Sequence, residues 1–353
     1  EHVPGDLLRT LAAEGVAVHP GPDALQYAQD KALMRTRLAQ SGVPVPAFRV
    51  LAAEEVAAAA PLFAAEHGWP VVVKTARGGY DGRGVWVVDS PGALPDLPAG
   101  TTVVLEAFAP LRRELAAVVA RSPFGQAAAW SVVQTVQRDG ICVEVLAPAP
   151  ELDRSRAAAA ESLALRVAGE LGVVGVLAVE LFEVPPSEAA PDGLMVNELA
   201  MRPHNSAHWT IEGSVTSQFE QHLRAVLDYP LGRTDALAPV AVMANVLGGA
   251  DPAGAEVGMD ERVHHLAARF PEIKVHLYGK GFRPGRKLGH VTVLGDDLTA
   301  LRRRARLAAG WLGSGVWADG YRVHADAERQ AVLRADGLVG RHTRRAAAGG
   351  GQR

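Results

Sequence analysis

Apolar side chains at Leu7, Leu8 and Leu11 recur at helical spacing and are closed by Gly15, so residues 4–14 are expected to form a helix. The apolar run at 16–18 reads as a short strand entering His19-Pro20-Gly21-Pro22, and 24–40 reads as a second helix ending at Ser41-Gly42. The alternating Val and Pro of 43–46 are extended. The pattern then becomes one of short β-branched runs between turn residues, predicting strands over 47–51, 70–74, 85–88, 102–107, 114–121, 127–136 and 141–147. An Ala-rich helix is expected at 53–67, a Gly-rich loop at 76–84, and a helix at 154–171. Strands at 175–184 and 194–199 follow. Beyond Pro239 the expected order is strand 241–247, helix 260–269, strand 275–278, a basic turn at 280–287, strand 289–294 and helix 297–312. The Ala/Gly-rich end of the chain reads as a disordered tail, and no internal repeat is evident.

The length of 353 residues suggests two or three domains, and 48% hydrophobic with 21% charged residues is the balance of a globular chain. A net charge of −3 argues against a general nucleic-acid binder. No uncharged apolar run approaches the roughly 18 residues that span a bilayer, and Glu1-His2-Val3-Pro4 does not resemble a secretion signal, so a cytoplasmic chain without a membrane partner is expected. The single cysteine, Cys142, sits in an apolar stretch and reads as a buried, inert thiol. Only five of the 36 basic residues are lysines (Lys31, Lys74, Lys274, Lys280 and Lys287), which marks them as positions where a compact ammonium is wanted.

Candidate chemistry is concentrated in four places. Lys74 ends a predicted strand and leads into Gly78-Gly79-Tyr80-Asp81-Gly82-Arg83-Gly84, where closely spaced glycines let backbone N–H groups cradle an anion. A strand rather than a helix follows, so this is neither a P-loop nor a dinucleotide fingerprint; a flexible hairpin is the alternative. Glu180 interrupts an apolar strand, where an unpaired carboxylate is costly. If the next strand closes a hairpin with Val184 opposite Leu194, Glu180 falls opposite Glu198, an arrangement that is repulsive unless a cation lies between them. Hard oxygen ligands without a Cys or His cluster point to Mg²⁺; two separate surface glutamates are the alternative. Next, Arg202, His204, Asn205, Ser206 and His208 form a dense donor set suited to a phosphate monoester, with Asn197 beside Glu198 able to orient a phosphate. Last, Lys280, Arg283, Arg286 and Lys287 crowd one turn, which either is solvated or faces an anionic substrate.

Together these motifs resemble the ATP-grasp ligases, and within them the 5-(carboxyamino)imidazole ribonucleotide synthetases of purine biosynthesis. The resemblance is carried by Lys74 with the loop through Arg83, by Asn197-Glu198-Leu199-Ala200 with Arg202-Pro203-His204-Asn205-Ser206 and His208-Trp209-Thr210, and by Arg283-Pro284-Gly285-Arg286-Lys287 with Gly289-His290. It runs in order from residue 1 to about 320.

The resemblance implies an α/β (α+β) ATP-grasp fold: residues 1–28 from a preceding domain, an ATP-grasp domain at 29–235 with a lid at about 45–105, a β-rich C-terminal cap at 236–325 and a tail at 326–353. It implies ATP held by Lys31, Lys74, Gly79, Tyr80, Asp81, Gly82, Arg83, Gly84 and Val85, with Glu106, Ala107, Phe108 and Ala109 at the adenine and hinge and Glu114 on the ribose. Gln137 and Asn197 join the nucleotide site, and Glu180 with Glu198 holds Mg²⁺. Glu1, Tyr80, Arg83, Arg202, His204, Asn205, Ser206, Lys280, Arg283, Arg286 and Lys287 would bind aminoimidazole ribonucleotide or the carboxyl donor, and Asp81, Arg202 and Lys280 are implied as catalytic. The implied reaction carboxylates that ribonucleotide with bicarbonate and ATP through carboxyphosphate, in a homodimer.

Departures are Met201 and Ala207 in place of the usual Pro and Gly, and Gln137 where many relatives carry His. The sequence opens at what resembles the middle of the family's first domain, so a truncated chain that binds Mg-ATP without turnover is a competing expectation. A sister formate-dependent glycinamide ribonucleotide transformylase is another.

Overall fold

The computed structural model describes residues 3–79, 83–249 and 257–322. Helix α1 (Gly5–Ala13) leads to α2 (Pro22–Gln29) and α3 (Lys31–Gln40). Two expectations fail here. Residues 16–18 form no strand, because none of the described strands lies beside them to pair. The single helix expected over 24–40 is two, because Asp30 turns extended (φ −136°, ψ 108°) and uses its side chain to cap the second. Its Oδ1 accepts from the backbone N–H groups of Ala32 and Leu33, both at 3.0 Å. The break makes Lys31 the first residue of α3.

A small sheet follows, built from β1 (Phe48–Ala52), β2 (Val71–Thr75), β3 (Val85–Val88) and β4 (Thr102–Ala107) in the order β1-β4-β2-β3, with α4 (Val56–His67) on one face. Alternation along β2 and β4 turns Val71, Val73, Val103 and Leu105 onto Val56, Ala60 and Phe63 of α4, which closes a core of its own.

The large sheet takes β5 (Arg113–Arg121), β6 (Ala127–Ala129), β7 (Val133–Arg138), β8 (Ile141–Ala147), β9 (Gly175–Glu183) and β10 (Leu194–Ala200), with α5 (Arg154–Glu170) between β8 and β9. After α6 (Thr210–Gly213) and α7 (Gln218–Val226) come β11 (Val240–Leu247), α8 (Met259–Arg269), β12 (Lys274–Leu277), β13 (Lys287–Gly295) and α9 (Leu298–Ser314). The strand order is β10-β9-β5-β7-β8-β11-β13-β12, with β6 beside β5, so the C-terminal strands continue the same sheet through the β8–β11 pairing. The strand expected over 127–136 is split because buried Trp130 turns inward and its indole N–H donates to the Thr216 carbonyl at 3.0 Å. Helices α6 and α7 were not anticipated.

Residues of β5 and β9 alternate between two cores. Leu115, Ala117, Leu177 and Val179 pack beneath α5 and α3, whereas Ala116, Val118, Val176 and Ala178 meet Trp130, Trp209 and Met243 on the other face. Leu177 is fully buried at 0% exposure, so Leu177→Ala is expected to cost about 3 kcal/mol of unfolding free energy, read as a lower urea midpoint at unchanged slope. Leu62→Ala on the exposed side of α4 should shift stability by less than about 0.5 kcal/mol.

Candidate active site

The β9–β10 hairpin does not close as expected. Leu194 lies opposite Glu183, not Val184, and Met195 and Val196 continue that register opposite Phe182 and Leu181. A β-bulge at Asn197 then inserts one residue, after which Glu198 stands opposite Glu180. The expected facing pair is therefore present, reached through a register one residue off and a bulge that corrects it. Without the bulge Glu198 would turn to the other face of the sheet. The bulge also lets Asn197 and Glu198, adjacent in sequence, face the same cavity.

Glu180 pairs with Ala116 across β5, and Glu114 lies two residues from Ala116 on the same strand face. Glu114, Glu180 and Glu198 therefore share one face, where the small apolar packing of Ala116 and Ala178 gives way to open space. Each has compensation. Lys31 Nζ contacts Glu198 Oε1, and His204 Nε2 lies 3.3 Å from Glu180 Oε1. Burial works against the charge of Glu180, but the His204 hydrogen bond and the positive Lys287 and Lys31 outweigh it, holding this carboxyl below its usual range. Glu114 goes the other way. Burial and the neighbouring Glu180 charge raise it, against hydrogen bonds from Gln137 and Thr135.

A second charged group ties the small sheet to this face. Glu106 is 2% exposed, and its carboxylate accepts from Arg35 Nε at 2.7 Å and pairs with Lys74 Nζ at 2.8 Å. Lys74 Nζ also donates to Asn197 Oδ1 at 3.1 Å, joining β2 to the bulge of β10. Desolvation lowers the Lys74 ammonium while Glu106 supports it; Glu106 is itself held below the usual carboxylate range because Arg35 and Lys74 outweigh its burial. Expected at the adenine and hinge, Glu106 has both carboxylate oxygens engaged by these cations.

Two cavities of about 440 and 430 Å³ meet at this face. The first lies between the two sheets and is lined by Lys31, Lys74, Val85, Glu106, Ala107, Phe108, Ala109, Glu114, Gln137, Asn197 and Ser206 among others. The second is lined by Gly79, Arg202, Lys280 and His208 among others. Lys31, Glu180, Glu198, His204, Asn205 and Lys287 line both and form a wall shared by the two. Arg83, Gly84, Arg283 and Arg286 line neither; Arg286 Nη1 donates to the Gly281 carbonyl of its own turn at 3.1 Å. Glu1, Tyr80, Asp81 and Gly82 lie outside the described residues.

Several wall residues carry no motif that sequence inspection can flag. Val72, Val87 and Phe182 present an apolar lining, and only their alternation on strands could have indicated it. Cys142, expected to be buried, is instead half-buried and lines the first cavity, although desolvation pushes its thiol up to about 12. Among the described residues no group of three or more His, Cys, Asp or Glu is placed to hold a metal. The facing pair Glu180 and Glu198 supplies hard oxygen donors of the kind a divalent cation such as Mg²⁺ takes.

A small antiparallel sheet over a large sheet, with two lysines and facing carboxylates in the cleft between them, defines an ATP-grasp ligase. Residues 36–219 match the ATP-grasp domain family, and residues 241–304 match the phosphoribosylaminoimidazole carboxylase C-terminal domain. The chain is 58% identical over 331 residues to the N5-carboxyaminoimidazole ribonucleotide synthase of Mycobacterium tuberculosis, covering 92% of this chain and 74% of that protein. The synthase of Corynebacterium ammoniagenes is 48% identical over 326 residues, covering 91% and 77%. Among solved structures, the Thermus thermophilus synthetase superposes with a TM-score of 0.74 at 35% identity, covering 90% of this chain and 81% of that one. The Aspergillus clavatus synthase in complex with ADP and 5-aminoimidazole ribonucleotide gives 0.75 at 30% identity, covering 88% and 80%. The chain belongs to the N5-carboxyaminoimidazole ribonucleotide synthase family.

Replacing Glu106 by Gln leaves Arg35 and Lys74 buried without their shared anion, so Glu106→Gln is expected to cost about 3–5 kcal/mol of stability. The wild-type carboxyl ionises below the usual 4.5, so its contribution is complete above that value and is lost as pH falls through the lower range of the folded state. Denaturation series should show wild-type stability falling more steeply than that of the variant once the pH drops below 4.5.

Proposed function

We propose that this chain carboxylates 5-aminoimidazole ribonucleotide, using ATP and bicarbonate, to give N5-carboxyaminoimidazole ribonucleotide, ADP and phosphate in purine biosynthesis. The observation that carries this reading is the wall shared by the two cavities, because a phosphoryl group leaving a nucleotide in one must meet its acceptor beside the other. The adenine lies in the apolar part of the first cavity near Ala107 to Ala109, and Lys31 and Lys74 reach the phosphates. Arg202, Lys280 and Lys287 serve the ribonucleotide in the second. Tyr80, Asp81, Gly82 and Arg83 are assigned to the phosphates by their motif alone, and the residues of 29–235 and 236–325 act as the ATP-grasp unit and its cap.

Bicarbonate oxygen attacks the γ-phosphorus, ADP departs, and carboxyphosphate forms at the shared wall. The exocyclic amine of the ribonucleotide then takes the carboxyl group, losing a proton as inorganic phosphate leaves. Glu180 and Glu198 would hold Mg²⁺, which neutralises charge on the phosphates during transfer. Lys31 is positioned by α3 to follow the negative charge as it moves, and the lid strands exclude water from the cleft.

The chain is also proposed to be a cytoplasmic homodimer. Among the described residues no helix is long and apolar enough to cross a membrane. Phe219, Leu223 and Leu227 recur at helical spacing along α7 and its end and are exposed together with Tyr229, an apolar face that a second copy could cover.

ADP release from purified protein should require both bicarbonate and 5-aminoimidazole ribonucleotide. Release driven by formate and glycinamide ribonucleotide, or ATP binding without turnover, would overturn the assignment. Glu198→Gln is expected to lower turnover by about 100- to 1,000-fold with an unchanged circular dichroism spectrum. Light scattering should give a dimer mass that Leu223→Glu reduces to that of a monomer.

A further inference from the structure

Gln218, the first residue of α7, is 0% exposed and lies outside every motif that drew attention in the sequence. Its side-chain oxygen accepts from the backbone N–H of His204 at 2.7 Å, and its amide nitrogen donates to the carbonyl of the same residue at 2.9 Å. A backbone N–H can only donate and a carbonyl can only accept, so these two bonds fix which end of the amide is which. The amide nitrogen also lies 2.8 Å from His208 Nδ1. Facing a donor, Nδ1 must be the unprotonated acceptor, so the proton of His208 is on Nε2. A second proton on Nδ1 would set donor against donor, and turning the amide over to relieve that clash would break both bonds to His204.

The rest of the surroundings agree. The His208 ring is flanked on its two faces by Phe219 and His290, with centroids 5.7 and 4.8 Å away. The titratable and charged groups facing it are His204, Arg202, Lys287, His276, His290 and Tyr278; Glu212 is turned onto His276. Desolvation, with the positive members of this set, pushes the His208 imidazole down to about 3. With Nδ1 turned onto a buried side chain, Nε2–H is the remaining polar group of a ring that lines the second cavity, where Arg202, Lys280 and Lys287 also lie. Lys280 Nζ sits 5.1 Å from the centre of the Tyr278 ring that borders His208.

We propose that Gln218 is a positioning residue that locks His208 as a neutral imidazole, so that His208 Nε2–H donates a hydrogen bond to an anionic phosphate oxygen of the ribonucleotide and takes no part in proton transfer. This assignment of the acceptor rests on the functional reading above; the lock itself does not. A neutral donor among cations suits a substrate that must bind and leave in each turnover, since it supplies direction without adding another full charge.

The lock is tested by long-range nitrogen–proton correlation on protein labelled with ¹⁵N-histidine, comparing wild type with His208→Gln to assign the signal. A neutral ring protonated on Nε2 across pH 6 to 9 is expected; an Nδ1-protonated or doubly protonated ring overturns the proposal. Should the chain release no ADP with aminoimidazole ribonucleotide, the functional reading fails while this spectrum still decides the lock. For the contact, His208→Asn removes the donor from the cavity and should raise KM for the ribonucleotide about tenfold, the worth of one hydrogen bond. His208→Gln carries an amide N–H near the Nε2 position and should recover most of that loss. KM for ATP should be unchanged in both, and an unchanged ribonucleotide KM in His208→Asn overturns the contact. Gln218→Glu sets a carboxylate against Nδ1 and should introduce an ionisation into the ribonucleotide KM that wild type lacks; a pH profile matching wild type counts against the lock.

Discussion

Two carboxylates facing each other on neighbouring antiparallel strands repel, and much of this structure works to hold Glu180 and Glu198 in that arrangement. The bulge at Asn197 sets their register, and one imidazole and two ammonium groups surround them. His204 approaches from the loop after β10, Lys287 from the start of β13, and Lys31 from the start of α3. Lys31 is in place because Asp30 ends α2 and caps α3. The other oxygen of Asp30 accepts from Arg77 Nε at 2.8 Å, and the Lys31 backbone N–H donates to the Ala76 carbonyl at 2.8 Å. The repulsive pair is thus linked, through one capping residue, to the Gly-rich loop of the small sheet.

A parallel linkage runs through Glu106. A buried carboxylate is stable only with partners, and here the partners are on different elements: Arg35 on α3 and Lys74 on β2, with Glu106 itself on β4. Lys74 then reaches Asn197 on the large sheet. Small sheet, entry helix and large sheet therefore converge on a handful of polar atoms, all beside the cleft. The same geometry accounts for a lysine that is almost fully buried yet retains a carboxylate partner.

Sequence pattern located most of the strands because the β-branched runs are separated by Gly, Pro and Asp turns; β3, β4 and β8 match their expected ranges. It also brought Glu180 and Glu198 together, although by an unbroken hairpin in which Leu194 would have met Val184. The bulge was not legible, since nothing local in Leu194-Met195-Val196-Asn197-Glu198 distinguishes a bulged strand from a regular one. Asp30 was passed over because the helical periodicity continues on both sides of it. Val16 to Val18 has strand composition but pairs with none of the described strands. Gln218 could not be found at all, since its importance lies in which atoms of His204 and His208 it meets across a fold that brings α7 under the loop.

The division of labour between arginine and lysine follows from the same physics. Glu144 and Glu183, both buried, are gripped by arginines: Arg302 and Arg306 from α9 on the first, and Arg113 and Arg156, with Arg112 at 3.8 Å, on the second. The planar guanidinium holds a fixed fork and stays charged when buried, which suits permanent contacts that bind one element to another. Lysine offers a single compact charge on a flexible stem. Lys31, Lys74, Lys280 and Lys287 all line one or both cavities, while Lys274 stands apart on β12. A cavity wall therefore favours the flexible charge and a joint between elements the fixed one, with Lys74 serving both through the first cavity and Glu106. The scarcity of lysine in this chain is the compositional trace of that difference.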